Sequence, residues 1–263
     1  MSEIALILPA ARPTGTLRDT VTMIGRGVRL SRRNIEAMIT SLMLPVMLML
    51  LFVYLFGGAI NTGTKYVTYV VPGVILLCAG FGAASTAVSV CQDLKGGIVD
   101  RFRSMDIGGT AILGGQIVAS LARNLLSTGL VIGIALLIGF RPHADAAHWL
   151  GATGVLLLFV LAISGLAAAV GVVAGSVEAA NGFTFIAMFL PYPSSAFVPI
   201  ATMPGWMHGF ARNQPCTPVI ETIRGMLLGT PMGNAPWLAL AWCTGLIAVA
   251  TVLCGVLYRR RTS

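Results

Sequence analysis

Two polar segments of this chain combine residue types that could bind a partner or do chemistry. In the first, residues 91–107, charged and apolar residues alternate, and Phe102 stands between two arginines. Ile98, Phe102 and Met105 recur at i, i+4 and i+7, so they share one face of a predicted helix. A short helix of this kind fits either a groove on a partner protein or a membrane surface.

The second segment, residues 199–225, contains four prolines together with Trp206 and Phe210. Prolines interrupt helices and aromatic rings favour a membrane–water interface, so the segment predicts broken structure at the interface rather than a straight span. We expect a re-entrant or interfacial pair of short helices on the outer side of a membrane. Its candidate site residues are Pro204, Gly205, Trp206, Arg212, Asn213, Pro215, Pro218, Glu221 and Arg224.

The second of these short helices has a predicted start. Thr217 fits the N-cap position, where a hydroxyl accepts a hydrogen bond from an early backbone N–H, and Pro218 fits the first helical position. Glu221 and Arg224 stand at i and i+3, a spacing at which opposite charges can pair on a helix. We therefore predict a capped helix that carries an ion pair.

Catalytic arrangements are not recognisable in the sequence. A phosphate-binding loop ends in Lys followed by Ser or Thr, and neither Lys65 nor Lys95 is followed by one, so the chain is not a P-loop ATPase by itself. Ser164 could be an intramembrane nucleophile, but all three histidines fall in predicted outer loops. The five cysteines include no CxxC pair. We expect no catalytic residue and no metal site.

Membrane helices must position these segments. Of the 263 residues, 56% are hydrophobic and 10% are charged, and the mean hydropathy is +0.87, far from the values of soluble globular proteins. Several apolar stretches exceed the roughly 20 residues that cross a bilayer. Six spans are predicted, at residues 38–60, 66–90, 119–140, 149–173, 183–200 and 237–258.

Basic residues predict the orientation of these spans. With both termini in the cytoplasm, thirteen of the 17 Lys and Arg residues lie inside, and the four outside are Lys65, Arg141, Arg212 and Arg224. Positive charge concentrates on the cytoplasmic side of membrane proteins, which favours this orientation. Because the net charge of +8 lies beside the spans rather than along a soluble surface, we do not expect nucleic-acid binding.

An amphipathic helix is predicted before the first span. Leu17, Val21, Ile24 and Val28 recur at helical spacing. The adjoining face carries four arginines, Arg18, Arg26, Arg29 and Arg33. Such a helix lies at the headgroup level of anionic lipid or offers a docking surface to a cytoplasmic partner.

The six predicted spans contain no Asp or Glu, and Arg123 is the charged residue inside them. Ion-coupled carriers usually bind their ion with intramembrane carboxylates, so a secondary transporter is disfavoured. Arg123 is predicted near the cytoplasmic end of the third span, where a long side chain can snorkel to the interface. A role in a transport pathway is the alternative.

The order of these segments resembles the membrane subunits of ABC-2 type exporters, in particular the daunorubicin-resistance type of drug-efflux permease. The resemblance covers nearly the whole chain. It includes Gly-x-x-Asp-Arg-Phe-Arg-Ser at residues 97–104, and Met-Pro-Gly-Trp at 203–206 followed by Ala-Arg-Asn-Gln-Pro-x-Thr-Pro at 211–218. Family members often continue the first motif with Leu-Pro and a basic residue, whereas this chain has Met105-Asp106-Ile107, so the end of that helix stays open.

The resemblance implies a role for each segment. The first motif would be the coupling helix that seats in an ATPase subunit, with the residues Gly97, Asp100, Arg101, Phe102, Arg103 and Ser104. The basic N-terminal helix would be the connecting helix, and the proline-rich segment would be the outer pair of re-entrant helices. ATP and magnesium would bind to the partner ATPase, and no cofactor would bind to this chain.

We therefore predict an all-α integral membrane protein with about six spans, an N-terminal amphipathic interfacial helix and an outer re-entrant helical pair before the last span. Its parts are residues 1–36, the tail and connecting helix; 37–258, the transmembrane domain, with a coupling loop at 91–110 and the outer segment at 201–230; and 259–263, a basic cytoplasmic tail. The expected location is the bacterial plasma membrane.

The predicted partners are two ATPase copies, a second permease copy or a related chain, and membrane lipid. A pathway without buried charge favours a hydrophobic or amphipathic drug, antibiotic or lipid as cargo. Export of a polysaccharide or glycolipid is the alternative. A secondary transporter, a channel or an intramembrane hydrolase is less favoured.

Overall fold

The computed structural model describes residues 35–60, 62–96 and 109–262, with side chains described for 43–60, 62–96 and 114–257. The predicted connecting-helix residues Arg18, Arg26, Arg29 and Arg33 lie outside the described residues, as do the predicted coupling residues Gly97, Asp100, Arg101, Phe102, Arg103 and Ser104.

The described part of the chain is helical and contains no strand. Its helices are α1 (Ile35–Leu51, continued by a π-helical turn, Phe52–Phe56), α2 (Tyr66–Lys95), α3 (Gly109–Leu137), α4 (Ala146–Val173), α5 (Val177–Phe189), α6 (Gly205–Asn213), α7 (Cys216–Leu228) and α8 (Ala235–Thr262). A 3₁₀ turn, Ile200–Thr202, precedes α6.

Four described helices, α2, α3, α4 and α8, are long and apolar enough to cross a membrane. α2 has 30 residues and α4 has 28, which at 1.5 Å per residue gives about 40–45 Å against a hydrocarbon core of roughly 30 Å. The segment Met43–Phe56 at the end of α1 is apolar but shorter. The prediction of an all-α membrane protein is confirmed.

The fifth predicted span, residues 183–200, is wrong as a continuous helix. α5 begins earlier, at Val177, and ends at Phe189 after 13 residues, a length of about 20 Å. Turns without regular helix follow over residues 190–199. Pro191 and Pro193 lack the backbone N–H that a continuing helix needs, and their rings clash with the preceding turn, so the chain unwinds.

α2 is the central helix of the bundle. Val70, Val74 and Leu77 on it are fully buried. α2 packs against α1, α3, α4, α5 and α7. At Gly80 a Cβ atom would lie 2.8 Å from the Ala187 carbonyl oxygen of α5, so the missing side chain allows the two helices to touch.

One end of the bundle, here called the cap end, is where α2 begins. There the Tyr66 hydroxyl donates to the Phe197 carbonyl oxygen at 2.8 Å, which joins α2 to the turns after α5. The His143 backbone N–H donates to the Leu227 carbonyl oxygen at 3.0 Å, which joins the α3–α4 connection to α7. α7 therefore lies at the cap end, and the hydrogen bond from Thr217 of α7 to the Ala211 carbonyl oxygen places α6 there too.

The opposite end, here called the loop end, is where α2 ends at Lys95 and α3 begins at Gly109. The Gln116 amide of α3 donates to the Asp93 carboxylate of α2 at 2.6 Å. Residues 97–104 follow α2 directly, so the predicted coupling segment connects two helices that are joined at this end.

Candidate functional site

The two short helices predicted before the last span are present as α6 and α7. Pro204 stands at the N-cap of α6 and Pro215 at the N-cap of α7. α7 ends at Leu228, and its C-cap residue, Gly229, has a φ of +71°, the left-handed conformation that glycine adopts at helix C-termini. The predicted N-cap of the second helix, Thr217, lies two residues after the observed N-cap, Pro215.

Thr217 does not cap α7, which corrects the prediction. The helix starts at Cys216, so Thr217 is its second residue and Pro218 its third. The Thr217 hydroxyl instead donates to the Ala211 carbonyl oxygen of α6 at 2.5 Å and accepts from the Ser195 N–H at 3.4 Å. It joins α6, α7 and the unwound chain after α5, and Pro218 is buried beside it.

Arg224 binds backbone carbonyls rather than a carboxylate. It is 8% exposed, and its Nη2 donates to the Ser195 carbonyl oxygen at 2.7 Å and to the Tyr69 carbonyl oxygen at 3.1 Å. Its guanidinium carbon lies 3.9 Å from the centre of the Tyr69 ring, a cation–π contact. No ion pair between Arg224 and Glu221 is found among the described contacts, so that prediction is wrong. The guanidinium turns towards α2 instead.

These contacts converge on residues 191–199, here called the proline segment. The Gln214 amide donates to the Pro193 carbonyl oxygen at 2.7 Å. The Tyr66 hydroxyl, Arg224 and Thr217 also bond to it. Gly73 of α2 lies so close that a Cβ would stand 2.7 Å from the Ala196 Cβ. Irregular backbone at membrane depth persists where protein groups bind it, and this segment meets that condition.

Sequence reasoning missed Tyr66, Tyr69 and Gln214 as members of this site. Tyr66 and Gln214 bind main-chain oxygens of a distant segment, and Tyr69 contacts the distant Arg224 guanidinium through its carbonyl oxygen and its ring. No spacing rule predicts such contacts. The three prolines at 191, 193 and 199 are the signal that could have revealed the unwound segment.

The exposed side of α6 carries aromatic residues. Trp206 is 82% exposed and Phe210, one helical turn later, is 57% exposed, while Ala211 on the opposite face is buried. Amphipathic helices with aromatic residues on one face lie in the membrane interface. Arg212 and Asn213 are also exposed at the end of α6, and Asn213 donates to the Gly209 carbonyl oxygen at 2.8 Å.

A second polar group lies halfway along the bundle. The Ser120 and Ser164 hydroxyl oxygens of α3 and α4 are 2.8 Å apart, and both residues are fully buried. Asn124, 1% exposed, donates to the Ser120 carbonyl oxygen at 3.0 Å. The Ser120–Ser164 bond joins α3 and α4 in the way that polar side chains join helices inside membranes, and the Asn124 bond lies within α3.

Arg123 lies on a helix that is longer than the predicted third span. α3 begins at Gly109, ten residues before that span, so Arg123 is its fifteenth residue of 29. Its Nη2 donates to the Ser85 hydroxyl of α2 at 3.3 Å, which joins α2 and α3. Its place near the cytoplasmic end of a membrane span stays a prediction.

No serine–histidine pair forms around Ser164. His148 lies on the same helix, 16 residues away, which is about 24 Å. His148 contacts Asp145 at 2.6 Å, and His208 contacts the Met203 carbonyl oxygen at 2.8 Å. The described residues thus give Ser164 a hydrogen-bonded place between two helices.

The chain is similar to known membrane transport proteins over most of its length. Residues 18–228 match the family described as ABC-2 type transporter. The chain is 30% identical, over 93% of its length and 87% of the relative's, to the daunorubicin resistance ABC transporter permease protein DrrB1 of Streptomyces coeruleorubidus. It is 23% identical, over 97% of its length and 94% of the relative's, to the probable doxorubicin resistance ABC transporter permease protein DrrC of Mycobacterium tuberculosis.

Proposed function

This chain belongs to the ABC-2 type transporter family, and on that premise we propose that it is the membrane permease of an exporter for hydrophobic or amphipathic small molecules. The observation that carries this is the family match over residues 18–228 together with four helices that can cross a membrane. Relatives that cover most of the chain are named as permeases for resistance to daunorubicin and doxorubicin.

Energy for transport would come from a separate subunit. Neither lysine of this chain stands in a phosphate-binding loop, so ATP and magnesium would bind to a cytoplasmic ATPase partner and not to this chain. Two ATPase copies would alternate between open and closed states. Their movement needs a contact surface on the permease, and residues 97–104 are the proposed surface.

A second permease copy, or a related chain, would enclose the transport path. Several large apolar side chains on α1 and α5 are exposed in the single chain, including Met47, Tyr54, Phe185, Ile186 and Phe189. An apolar face of this size contacts either lipid or another membrane helix. Both surroundings are part of the proposal, because a permease pair would still present its outer faces to membrane lipid.

The proposed orientation places the cap end outside and the loop end in the cytoplasm. The distribution of the 17 Lys and Arg residues supports it, with thirteen on the loop-end side and in the terminal segments. Both termini would then be cytoplasmic. The location is a bacterial plasma membrane, as for a multi-pass permease of this family.

The cargo class follows from the character of the spans. The helices α2, α3, α4 and α8 contain Asp93 at the loop end and otherwise no carboxylate within the described residues. The free energy of moving an apolar molecule through a path with few charges is small, whereas that of moving an ion is larger. Drugs, antibiotics and lipids fit this character; a glycolipid with a long apolar part is the second candidate.

Replacement of two residues tests the proposed coupling surface. Arg101→Ala with Phe102→Ala is expected to lower cargo-stimulated ATP hydrolysis and export at least about tenfold, the loss typical of an interface hot spot. The permease–ATPase complex should be isolated for each variant. Arg141→Ala, at the cap end, is the matched control. If export survives in the double variant with the complex intact, the coupling assignment is wrong.

A further inference from the structure

The proline segment is bound from two sides at once. Tyr66 of α2 donates to the Phe197 carbonyl oxygen at 2.8 Å, while Arg224 of α7 donates to the Ser195 carbonyl oxygen at 2.7 Å. Arg224 also donates to the Tyr69 carbonyl oxygen of α2 at 3.1 Å. One guanidinium group therefore joins three parts of the chain: α7, the proline segment and α2.

An arginine side chain is suited to this position. Its guanidinium has several N–H donors in one plane and stacks on aromatic rings, so it can contact two carbonyl oxygens and the Tyr69 ring together. The group is 8% exposed. A charged group is costly to bury, and bonds to main-chain oxygens reduce that cost only while the three parts stay in place.

α2 connects this site to the other end of the molecule. It is one helix of 30 residues, about 45 Å long, and it runs from Tyr66 at the cap end to Lys95 at the loop end. The proposed coupling segment, residues 97–104, follows within two residues. Any displacement of α2 at the loop end therefore acts on a helix whose first turn is bonded to the proline segment and to α7.

We propose that Arg224 is a positioning residue that makes α2, the proline segment and α7 move as one unit, so that a displacement of α2 shifts the outer cap of the permease. The proposal rests on the proposed function, because it assumes that an ATPase acts on the segment after α2. Arg224 touches no cargo in this account. It acts through the Ser195 and Tyr69 carbonyls.

Arg224→Met tests the role because methionine keeps an unbranched stem as long as the aliphatic part of arginine and has no hydrogen-bond donor. Arg141→Met is the matched control: Arg141 is exposed at the cap end and donates to the Leu136 and Phe140 carbonyl oxygens at 2.8 and 3.1 Å, but these belong to α3 and its end. Each chain would be reconstituted in liposomes with its co-purified ATPase. Cargo moved per ATP hydrolysed is the readout, since a general loss of folded protein lowers both rates equally.

The expected result is a fall of about tenfold or more in cargo moved per ATP for Arg224→Met, with ATP hydrolysis retained and Arg141→Met unchanged. Equal transport per ATP in Arg224→Met and the parent chain would overturn the proposal. If the parent chain moves no cargo with any ATPase, the proposed function fails instead, which separates the two conclusions.

A distance measurement on the parent complex covers the case in which Arg224→Met does not fold. Non-canonical amino acids carrying spin labels would be placed at Thr68 on α2 and Ala201 after the proline segment. The proposal requires the same distance distribution between the labels without nucleotide and with trapped nucleotide. A change in the distance distribution between the two states would mean that α2 and the cap move separately. This result would refute the proposal that they move as one unit.

Discussion

Removing one hydroxyl from α2 should loosen the proline segment. Tyr66 is 5% exposed and Phe197 is 4% exposed, and the Tyr66 hydroxyl donates to the Phe197 carbonyl oxygen at 2.8 Å. Tyr66→Phe keeps the ring and leaves that carbonyl without its donor. An unsatisfied buried acceptor costs about 1–3 kcal/mol. Because 1.4 kcal/mol changes an equilibrium constant tenfold, the equilibrium constant for local opening of the segment should rise about 5- to 150-fold.

Hydrogen–deuterium exchange of the backbone amides at residues 194–198 measures this opening directly. The Ser195 N–H bonds to Thr217 and the Ala196 N–H bonds to the Ser194 hydroxyl, so both amides are protected while the segment is closed. Tyr54→Phe is the control, because Tyr54 is 73% exposed. Exchange rates in Tyr66→Phe equal to those of the control would refute the claim that this bond holds the segment.

Three further predictions concern other parts of the bundle. Gly171→Leu should lower the free energy of unfolding by about 1–3 kcal/mol, because a Cβ at Gly171 would lie 2.4 Å from an α2 carbonyl oxygen. Gly129→Leu is the control and should have little effect, because a Cβ there meets open space. Denaturation in detergent measures both variants. Ser164→Ala should keep export and lose about 1 kcal/mol of stability in the same denaturation assay, because it removes the hydrogen bond to Ser120. Covalent labelling of Ser164 in the parent chain by a serine-directed probe would contradict this and favour the hydrolase alternative. Hydrogen bonds from the His148 backbone and ring lower the pKa of Asp145, the N-cap of α4, from 3.8. The stability that this cap gives α4 should therefore be present above pH 3.8 and be lost as the pH falls through the lowered pKa. Thermal unfolding measured against pH should show this loss in the parent chain and not in Asp145→Asn.

The apolar spans could be predicted from the sequence because hydropathy over about 20 residues is a strong local signal. α2, α4 and α8 agree with their predicted spans to within several residues at each end. The pair α6 and α7 was also predictable, since prolines at 204 and 215 mark both helix starts. These features depend on residues that are near one another in the chain.

The error in the fifth span could have been avoided from the local sequence, because its prolines signal unwinding. The contacts of Arg224, in contrast, depend on distant groups that local sequence does not encode. Residues 183–200 are apolar enough to be read as a span, but the prolines unwind the chain and distant groups bind the exposed backbone. Arg224 stands at the right spacing to pair with Glu221, yet the fold offers it two carbonyls and a ring. α3 begins at Gly109, ten residues before the predicted third span, because the helix extends beyond the most apolar stretch. The predicted roles of residues 97–104 and of Arg18 to Arg33 stay predictions.

The central claim is that this chain is a permease driven by a separate ATPase, and co-purification tests it most directly. The tagged chain would be isolated in mild detergent, the co-purifying proteins identified, and ATP hydrolysis measured with and without hydrophobic drugs and lipids. The account predicts a stoichiometric ATPase subunit whose activity rises with one class of apolar cargo. A stable complex that transports cargo in liposomes with no ATPase present would contradict it and indicate a secondary carrier or channel.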